Sequence, residues 1–185
     1  RKLDVLPGMQ VLDACAAPGT KTQQIACLMK NQGKIVATDL YEARCNLIDE
    51  LMNRTGVSIV CAKQNDATIT GKFPKESFDR ILIDAPCSGL GDLSHKPEIR
   101  WHLEPTSIDE LVLTQEAILD ANADYLRVGG ILVYSTCTLN RKENEQQIKK
   151  FLVKHTNYVL LEEETLFPMA DDADGFYYAK LKRNQ

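Results

Sequence analysis

The chain reads as an α/β protein with a mostly parallel, doubly wound sheet. Short apolar runs typical of buried strands alternate with segments of helical period. The early runs are continuously apolar, as strands covered on both faces are. Acidic residues and cysteines recur just past the ends of these runs, along the edge where such sheets bind ligands.

Taken in order, Met9–Ala14 is the first strand. Thr22–Asn31 follows as a helix, with Ile25, Leu28 and Met29 on one face and Gly33 as its stop. Lys34–Thr38 is a strand ending at Asp39. Glu42–Arg54 carries Leu47, Ile48, Leu51 and Met52 at helical spacing, and Gly56 stops it. Ser58–Ala62 and Phe78–Asp84 are the third and fourth strands. Ser107–Leu126 is a long helix that Gly129-Gly130 is expected to end. Ile131–Ser135 is the fifth strand, and Glu143–Val153 a helix. Tyr158–Leu161 and Phe176–Leu181 are joined without a helix, so the last strand should run antiparallel. Ala85–Thr106 is the longest stretch without periodicity, and such stretches in compact domains tend to carry function.

The 185 residues suffice for one domain with a real core, so residues 1–185 are expected to form a single domain. The composition, 44% hydrophobic and 26% charged, is that of an ordinary soluble protein. No apolar run approaches the ~18 residues of a membrane span. Arg1-Lys2-Leu3-Asp4 lacks the apolar core of a signal peptide, so a cytoplasmic location is expected. The absence of an initial Met fits a fragment or a processed product. Six cysteines form no CxxC pair and none has a His at zinc-ligand spacing, which argues against a disulfide framework and against a metal site. Cys27, Cys45 and Cys61 read as small packing residues. The net charge of −4 gives no global pull toward nucleic acid, so an RNA partner would need local basic clusters or another domain, and this chain alone should bind RNA weakly.

The loop after the first strand is DACAAPGTKT, Asp13 to Thr22. It is neither a Walker A, which needs Gly directly before Lys, nor a GxGxxG turn. It is a small-residue loop that lets a ligand approach the backbone. Asp39, at the end of the second strand, can accept from both ribose hydroxyls. Asp66, after the third, can accept from an adenine amine. Either acid alone could be a solvated cap. Together, beside that loop and without a phosphate cradle, they point to S-adenosylmethionine rather than ATP or NAD.

Two strands then run into cysteines, one in Asp84-Ala85-Pro86-Cys87-Ser88-Gly89 and the other in Ser135-Thr136-Cys137-Thr138. Among methyl acceptors, oxygen and nitrogen need no thiol. Carbon 5 of a pyrimidine does: a thiolate adding to carbon 6 makes carbon 5 enamine-like and nucleophilic. A carboxylic acid at ring nitrogen 3 stabilises the charge that develops, and a second group near the sulfur can assist release. Asp84, Cys87 and Cys137 supply this set. The plain alternative is that both cysteines pack the core. Chemistry alone does not say which thiol attacks.

VLDACAAPGTKT, DAPCSGLG, KPEIRW, GGILVYSTCTLNRKENE and DGFYYAKLKR resemble the RNA cytosine-C5 methyltransferases of the Fmu/Sun type, over about Leu6 to Arg183. The resemblance implies a class I S-adenosylmethionine-dependent methyltransferase fold with a seven-stranded sheet and helices on both faces. It implies a cytosine of small-subunit ribosomal RNA as substrate. It also implies that Cys137 is the nucleophile, that Cys87 helps release product, and that Asp84 contacts the cytosine ring beside the methyl donor. Cys15, Ala16, Ala17, Pro18, Gly19, Thr20 and Lys21, with Asp39 and Asp66, would hold S-adenosylmethionine, and Lys21 would also point toward the reaction centre.

Three departures stand out. The family usually has Gly-Gly-Lys-Thr where this chain has Gly19-Thr20-Lys21-Thr22. A β-branched residue is strained at positive φ, so a left-handed backbone at Thr20 would weaken the cofactor site. Ser94 and His95 stand where the family usually has two basic residues, and His95 reads as a surface loop residue. The family's N-terminal helical RNA-binding region is expected to be absent. In the loop His95–His102, Trp101 reads first as an anchor of the loop on the domain and second as a base-stacking platform, with Lys96 and Arg100 on phosphates. The competing functions are a catalytically weakened module that binds RNA or the ribosome, a transfer-RNA relative, an NAD-linked oxidoreductase and a DNA cytosine methyltransferase. The glycine spacing opposes the oxidoreductase, and the second cysteine motif opposes the DNA enzyme. Oligomeric state has no signature here.

Overall fold

The computed structural model describes residues 1–102, 104–168 and 173–184, with only the backbone of His102 and Pro105. Seven strands form one sheet: β1 (Gln10–Asp13), β2 (Lys34–Asp39), β3 (Val60–Gln64), β4 (Phe78–Asp84), β5 (Leu126–Thr136), β6 (Tyr158–Leu166) and β7 (Phe176–Arg183). Their spatial order is β3-β2-β1-β4-β5-β7-β6. The first five are parallel, and β7 lies antiparallel between β5 and β6. The helices are α1 (Thr20–Leu28), α2 (Glu42–Thr55), α3 (Ile99–His102), α4 (Pro105–Ala123) and α5 (Glu145–Lys154). Among the described residues, no helix is long and apolar enough to cross a membrane.

Strand alternation divides the core between two faces. Leu12, Ile83, Leu132, Tyr134, Tyr177 and Ala179 meet Ile118 and Leu119 of α4 and Ile148 and Phe151 of α5. Their neighbours Val11, Leu82, Val133 and Tyr178 meet Ile25, Ala26 and Met29 of α1. Ala37 joins Ile48 and Met52 of α2 on Ala16. These buried runs explain why the early strands carry apolar side chains at consecutive positions.

Several boundaries move from the sequence reading. The long helix ends at Ala123, and Leu126–Gly130, assigned above to its end and stop, belongs to β5. The cause is tertiary: Leu126 pairs with Phe78, and the Tyr125 carbonyl accepts the Phe78 N–H at 3.0 Å. Gly129, at φ +78°, sits where the β4–β5 register shifts, so this glycine shapes an irregular strand instead of capping a helix. β6 extends to Leu166 because β7 pairs with it along that length. β3 starts two residues later than expected, and α1 two residues earlier. Cys45 is buried and Cys61 half-buried, but Cys27 is exposed on α1, outside its apolar stripe, so the packing assignment fails for Cys27.

Candidate active site

The strand order turns back between β1 and β4, and the carboxyl ends of doubly wound strands at such a point make a ligand crevice. Asp13 ends β1 and Asp84 ends β4. Between them the loop Ala14–Gly19 turns into α1. The Ala17–Pro18 peptide is cis, and Gly19 adopts φ +103°. A Cβ at Gly19 would also lie 3.3 Å from the Ile48 Cα, so this glycine serves both the turn and the packing of α1 on α2. Thr20 is the first residue of α1 and does not have positive φ. The strain considered for Thr20 is therefore absent, because Gly19 takes the left-handed position.

Asp13, Cys15, Ala16, Ala17, Pro18, Thr20, Lys21 and Asp84 line a cavity of about 110 Å³. Asp13 is fully buried. Its Oδ2 accepts the Thr22 hydroxyl at 2.7 Å, and its Oδ1 has no hydrogen-bond partner among the described residues. Burial raises its pKa to about 7. In the sequence Asp13 only opens the DACAAPGTKT loop; the fold shows its unmatched oxygen beside this cavity. Burial also pushes the Cys15 thiol up, so Cys15 stays protonated. Asp39 is 5% exposed and lies 3.5 Å from the Arg44 Nε. Asp66 lines a second, open cavity of about 440 Å³ with Leu40, Lys72 and Phe73. The Thr68 hydroxyl and N–H both donate to Asp66 Oδ1, which lowers its pKa.

The predicted reaction residues come together at the ends of β4 and β5. The Cys87 and Cys137 sulfurs are 3.3 Å apart, Cys137 exposed and Cys87 half-buried. Hydrogen bonding from Cys87 lowers Cys137 to about 7, and the same contact, with burial, raises Cys87. Cys137 is the more exposed of the two, and a hydrogen bond donated by Cys87 favours its thiolate. Lys21 Nζ lies 2.6 Å from Asp84 Oδ2, and the Ser135 hydroxyl donates to Asp84 Oδ1 at 2.7 Å. Lys21 also sits 5.7 Å from the centre of the Phe176 ring. Ser135 and Phe176 were not singled out in the sequence, because each belongs to a strand remote from Asp84 and Lys21 along the chain. Trp101 is 83% exposed, so it does not anchor its loop. His95 is exposed as expected, but its ring nitrogen lies 3.3 Å from Asp174, and with Asp92 the three put possible ligand atoms within 4.8 Å. The spacing along the chain hid this trio.

The residues present fit S-adenosylmethionine. An unmatched buried carboxylate oxygen and a small-residue loop suit its cationic amino-acid end. Asp39 suits ribose hydroxyls, and the cavity beside Leu40, Phe73 and Asp66 suits a flat base with an amine. Fold and site thus define the class, an S-adenosylmethionine-dependent methyltransferase. The chain belongs to the 16S rRNA methyltransferase RsmB/F family, whose model matches residues 2–182. It is 43% identical over 159 residues to the Bacillus subtilis (strain 168) protein named "Probable ribosomal RNA small subunit methyltransferase B", covering 85% of this chain and 36% of that protein. It is 38% identical over 191 residues to ribosomal RNA small subunit methyltransferase F of Cronobacter sakazakii (strain ATCC BAA-894), covering 94% and 40%. The crystal structure of NSun6 from Pyrococcus horikoshii with SFG superposes with a TM-score of 0.91 at 33% identity, covering 100% of this chain and 50% of that one. The chain thus spans about two fifths of the length of these curated relatives.

Proposed function

We propose that this chain is the catalytic domain of an RNA cytosine-C5 methyltransferase, acting in the cytoplasm on small-subunit ribosomal RNA. The observation that carries the reading is the pair of sulfurs 3.3 Å apart, next to the Lys21–Asp84 ion pair at one strand edge. Only a carbon acceptor needs such a pair. The family and the names of the relatives support a ribosomal RNA substrate.

S-adenosylmethionine, when bound, supplies an electrophilic methyl group. Asp13 and the Cys15–Lys21 loop would hold its amino-acid end, Asp39 its ribose and the Asp66 cavity its base. Cys137, the exposed thiol with lowered pKa, adds to carbon 6 of the cytosine. In its acid form Asp84, held by Ser135 and Lys21, donates to ring nitrogen 3, and the Lys21 ammonium beside it offsets the negative charge that develops as the thiolate adds. After carbon 5 is methylated, solvent at this exposed edge takes the carbon-5 proton, the freed electron pair restores the double bond between carbons 5 and 6, and Cys137 leaves as the thiolate. Cys87, in contact with the Cys137 sulfur, assists that elimination. The cytosine must be unpaired or flipped to reach this edge. Exposed Trp101 with Lys96 and Arg100 then suits base stacking and phosphate contact, the second of the two readings of that loop.

The test incubates Cys87→Ala and Cys137→Ala, in the full-length context, with S-adenosylmethionine and small-subunit ribosomal RNA. Covalent protein–RNA adduct is scored on a denaturing gel. Cys87→Ala should accumulate adduct and Cys137→Ala should form none. The reverse pattern would exchange the two roles. Methyl transfer that survives in Cys137→Ala without adduct would overturn the covalent mechanism, whereas a wild type with neither adduct nor methyl transfer would favour the RNA- or ribosome-binding module.

A further inference from the structure

Glu143 lies between β5 and α5, distant in the chain from Cys87, and is fully buried. Each of its side-chain hydrogen bonds among the described residues is with a donor. Its Oε1 accepts the Ser88 N–H at 2.8 Å and the Gln115 amide at 3.0 Å. Its Oε2 accepts the Ser88 hydroxyl at 2.6 Å, with the Thr138 hydroxyl at 3.4 Å. The Ser88 and Thr138 oxygens are themselves 2.8 Å apart. Ser88 follows Cys87 directly, and Thr138 follows Cys137. One buried carboxylate therefore holds the residue next to each cysteine.

The rest of the network fixes the carboxylate in turn. The Gln115 amide also donates to the Pro86 carbonyl at 2.9 Å, tying α4 to the Cys87 loop. The Tyr134 hydroxyl donates to the Glu143 carbonyl at 2.7 Å, and the Asn144 amide to the Thr138 carbonyl at 2.9 Å. An ionised carboxylate is an acceptor only and can take all of these donors, whereas an amide nitrogen at the Oε2 position keeps a bond only when the Ser88 and Thr138 hydroxyls turn round, and the charge-assisted bonds are lost. Glu143, Ser88, Gln115 and Thr138 are not among the residues that line the cavity between Asp13 and Asp84.

We propose that Glu143 is a positioning residue that clamps the two cysteine loops together and so sets the contact between the Cys87 and Cys137 sulfurs. It acts through Ser88 and Thr138 and does not itself reach the reacting atoms. The consequence for methyl transfer rests on the two-thiol reading, but the clamp can be tested on the thiols alone, without RNA. Failure of one is therefore distinguishable from failure of the other.

The experiment measures carbamidomethylation of Cys137 by iodoacetamide, site by site from peptide masses, between pH 5.5 and 9.5. It compares the wild type with Glu143→Gln. Thermal unfolding and S-adenosylmethionine binding are followed in parallel. Asp84, Asp92 and Lys96, the charged groups whose fields reach Cys137, are unchanged in every variant. The clamp predicts that the midpoint of Cys137 reactivity rises from about 7 toward the ordinary thiol value of about 8.5. The rate at pH 7 should drop roughly fivefold or more, with cofactor affinity within twofold of wild type. Should Glu143→Gln not fold, Ser88→Ala and Thr138→Val each remove one strand of the network and should shift the midpoint the same way, by less. An unchanged midpoint in the folded variants overturns the proposal. So does a shift accompanied by an equal loss of cofactor affinity, which would report general disruption of the edge.

Discussion

At Cys137, one thiol sets the acidity of another. The Cys87 and Cys137 sulfurs share a hydrogen bond across 3.3 Å; with Cys87 as its donor, that bond favours the Cys137 thiolate against the burial and the Asp84 and Asp92 charges that oppose ionisation. The thiolate is thus populated above a pH of about 7 and lost below it. Removing the donor should return Cys137 to an ordinary thiol. In Cys87→Ala, alkylation of Cys137 at pH 7 should slow roughly tenfold, with the difference vanishing above about pH 9. A rate that is unchanged at pH 7 would mean that the contact does not control the thiol. This experiment separates two properties of Cys87 that catalysis combines, because activation of the nucleophile needs no RNA and product release does.

At the scale of elements, the edge is assembled where three backbones meet. The loop after β4, the loop after β5 and the entry to β7 converge at Gly91 and Gly175. The Gly91 N–H donates to the Cys137 carbonyl, and the Gly175 N–H to the Gly91 carbonyl, both at 2.9 Å. A Cβ at Gly91 would fall 1.9 Å from the Gly175 oxygen and 2.9 Å from the Cys137 oxygen, and those backbone atoms cannot move independently. Gly91→Ala should therefore cost about 1–3 kcal/mol in denaturant unfolding, as overpacking does. It should also reduce the adduct that Cys87→Ala would otherwise accumulate. Gly129→Ala provides the contrast. A Cβ there meets nothing within 4 Å, so any cost comes from its φ of +78°, far from the thiols.

Across the whole molecule, the parallel half of the sheet delivers acids to one edge, and burying one of them carries a stability cost. Asp13 ionises at about 7 in the folded chain, against 3.8 for the free group, because burial disfavours its charge. Between those values the native state holds a proton that the unfolded state has released. Stability therefore falls as pH rises from about 4 to about 7, and this contribution is flat outside that window. The expected slope for one proton is at most about 1.4 kcal/mol per pH unit. Asp13→Asn should remove it from the profile of unfolding free energy against pH. Profiles that stay parallel across this window would show that Asp13 is ionised in the free protein. A protein optimised for stability alone would not bury this unmatched oxygen, which fits a group kept for a cationic ligand.

Much of this was legible along the chain, because it depends on neighbours in sequence. Apolar runs and helical periods announced the alternating architecture, and Asp39, Asp66, Asp84, Cys87 and Cys137 stood at strand ends where a doubly wound sheet gathers its ligand groups. Local signals failed where a distant strand decided the outcome. Leu126–Gly130 became strand because Phe78 pairs with Leu126. The exposure of Trp101, the unmatched oxygen of Asp13 and the grip of Glu143 on Ser88 and Thr138 have no one-dimensional trace. Periodicity and residue type report which face of an element is buried. Distances between side chains tens of residues apart arise only when the sheet closes, and with them come the sulfur contact and the acidity it sets.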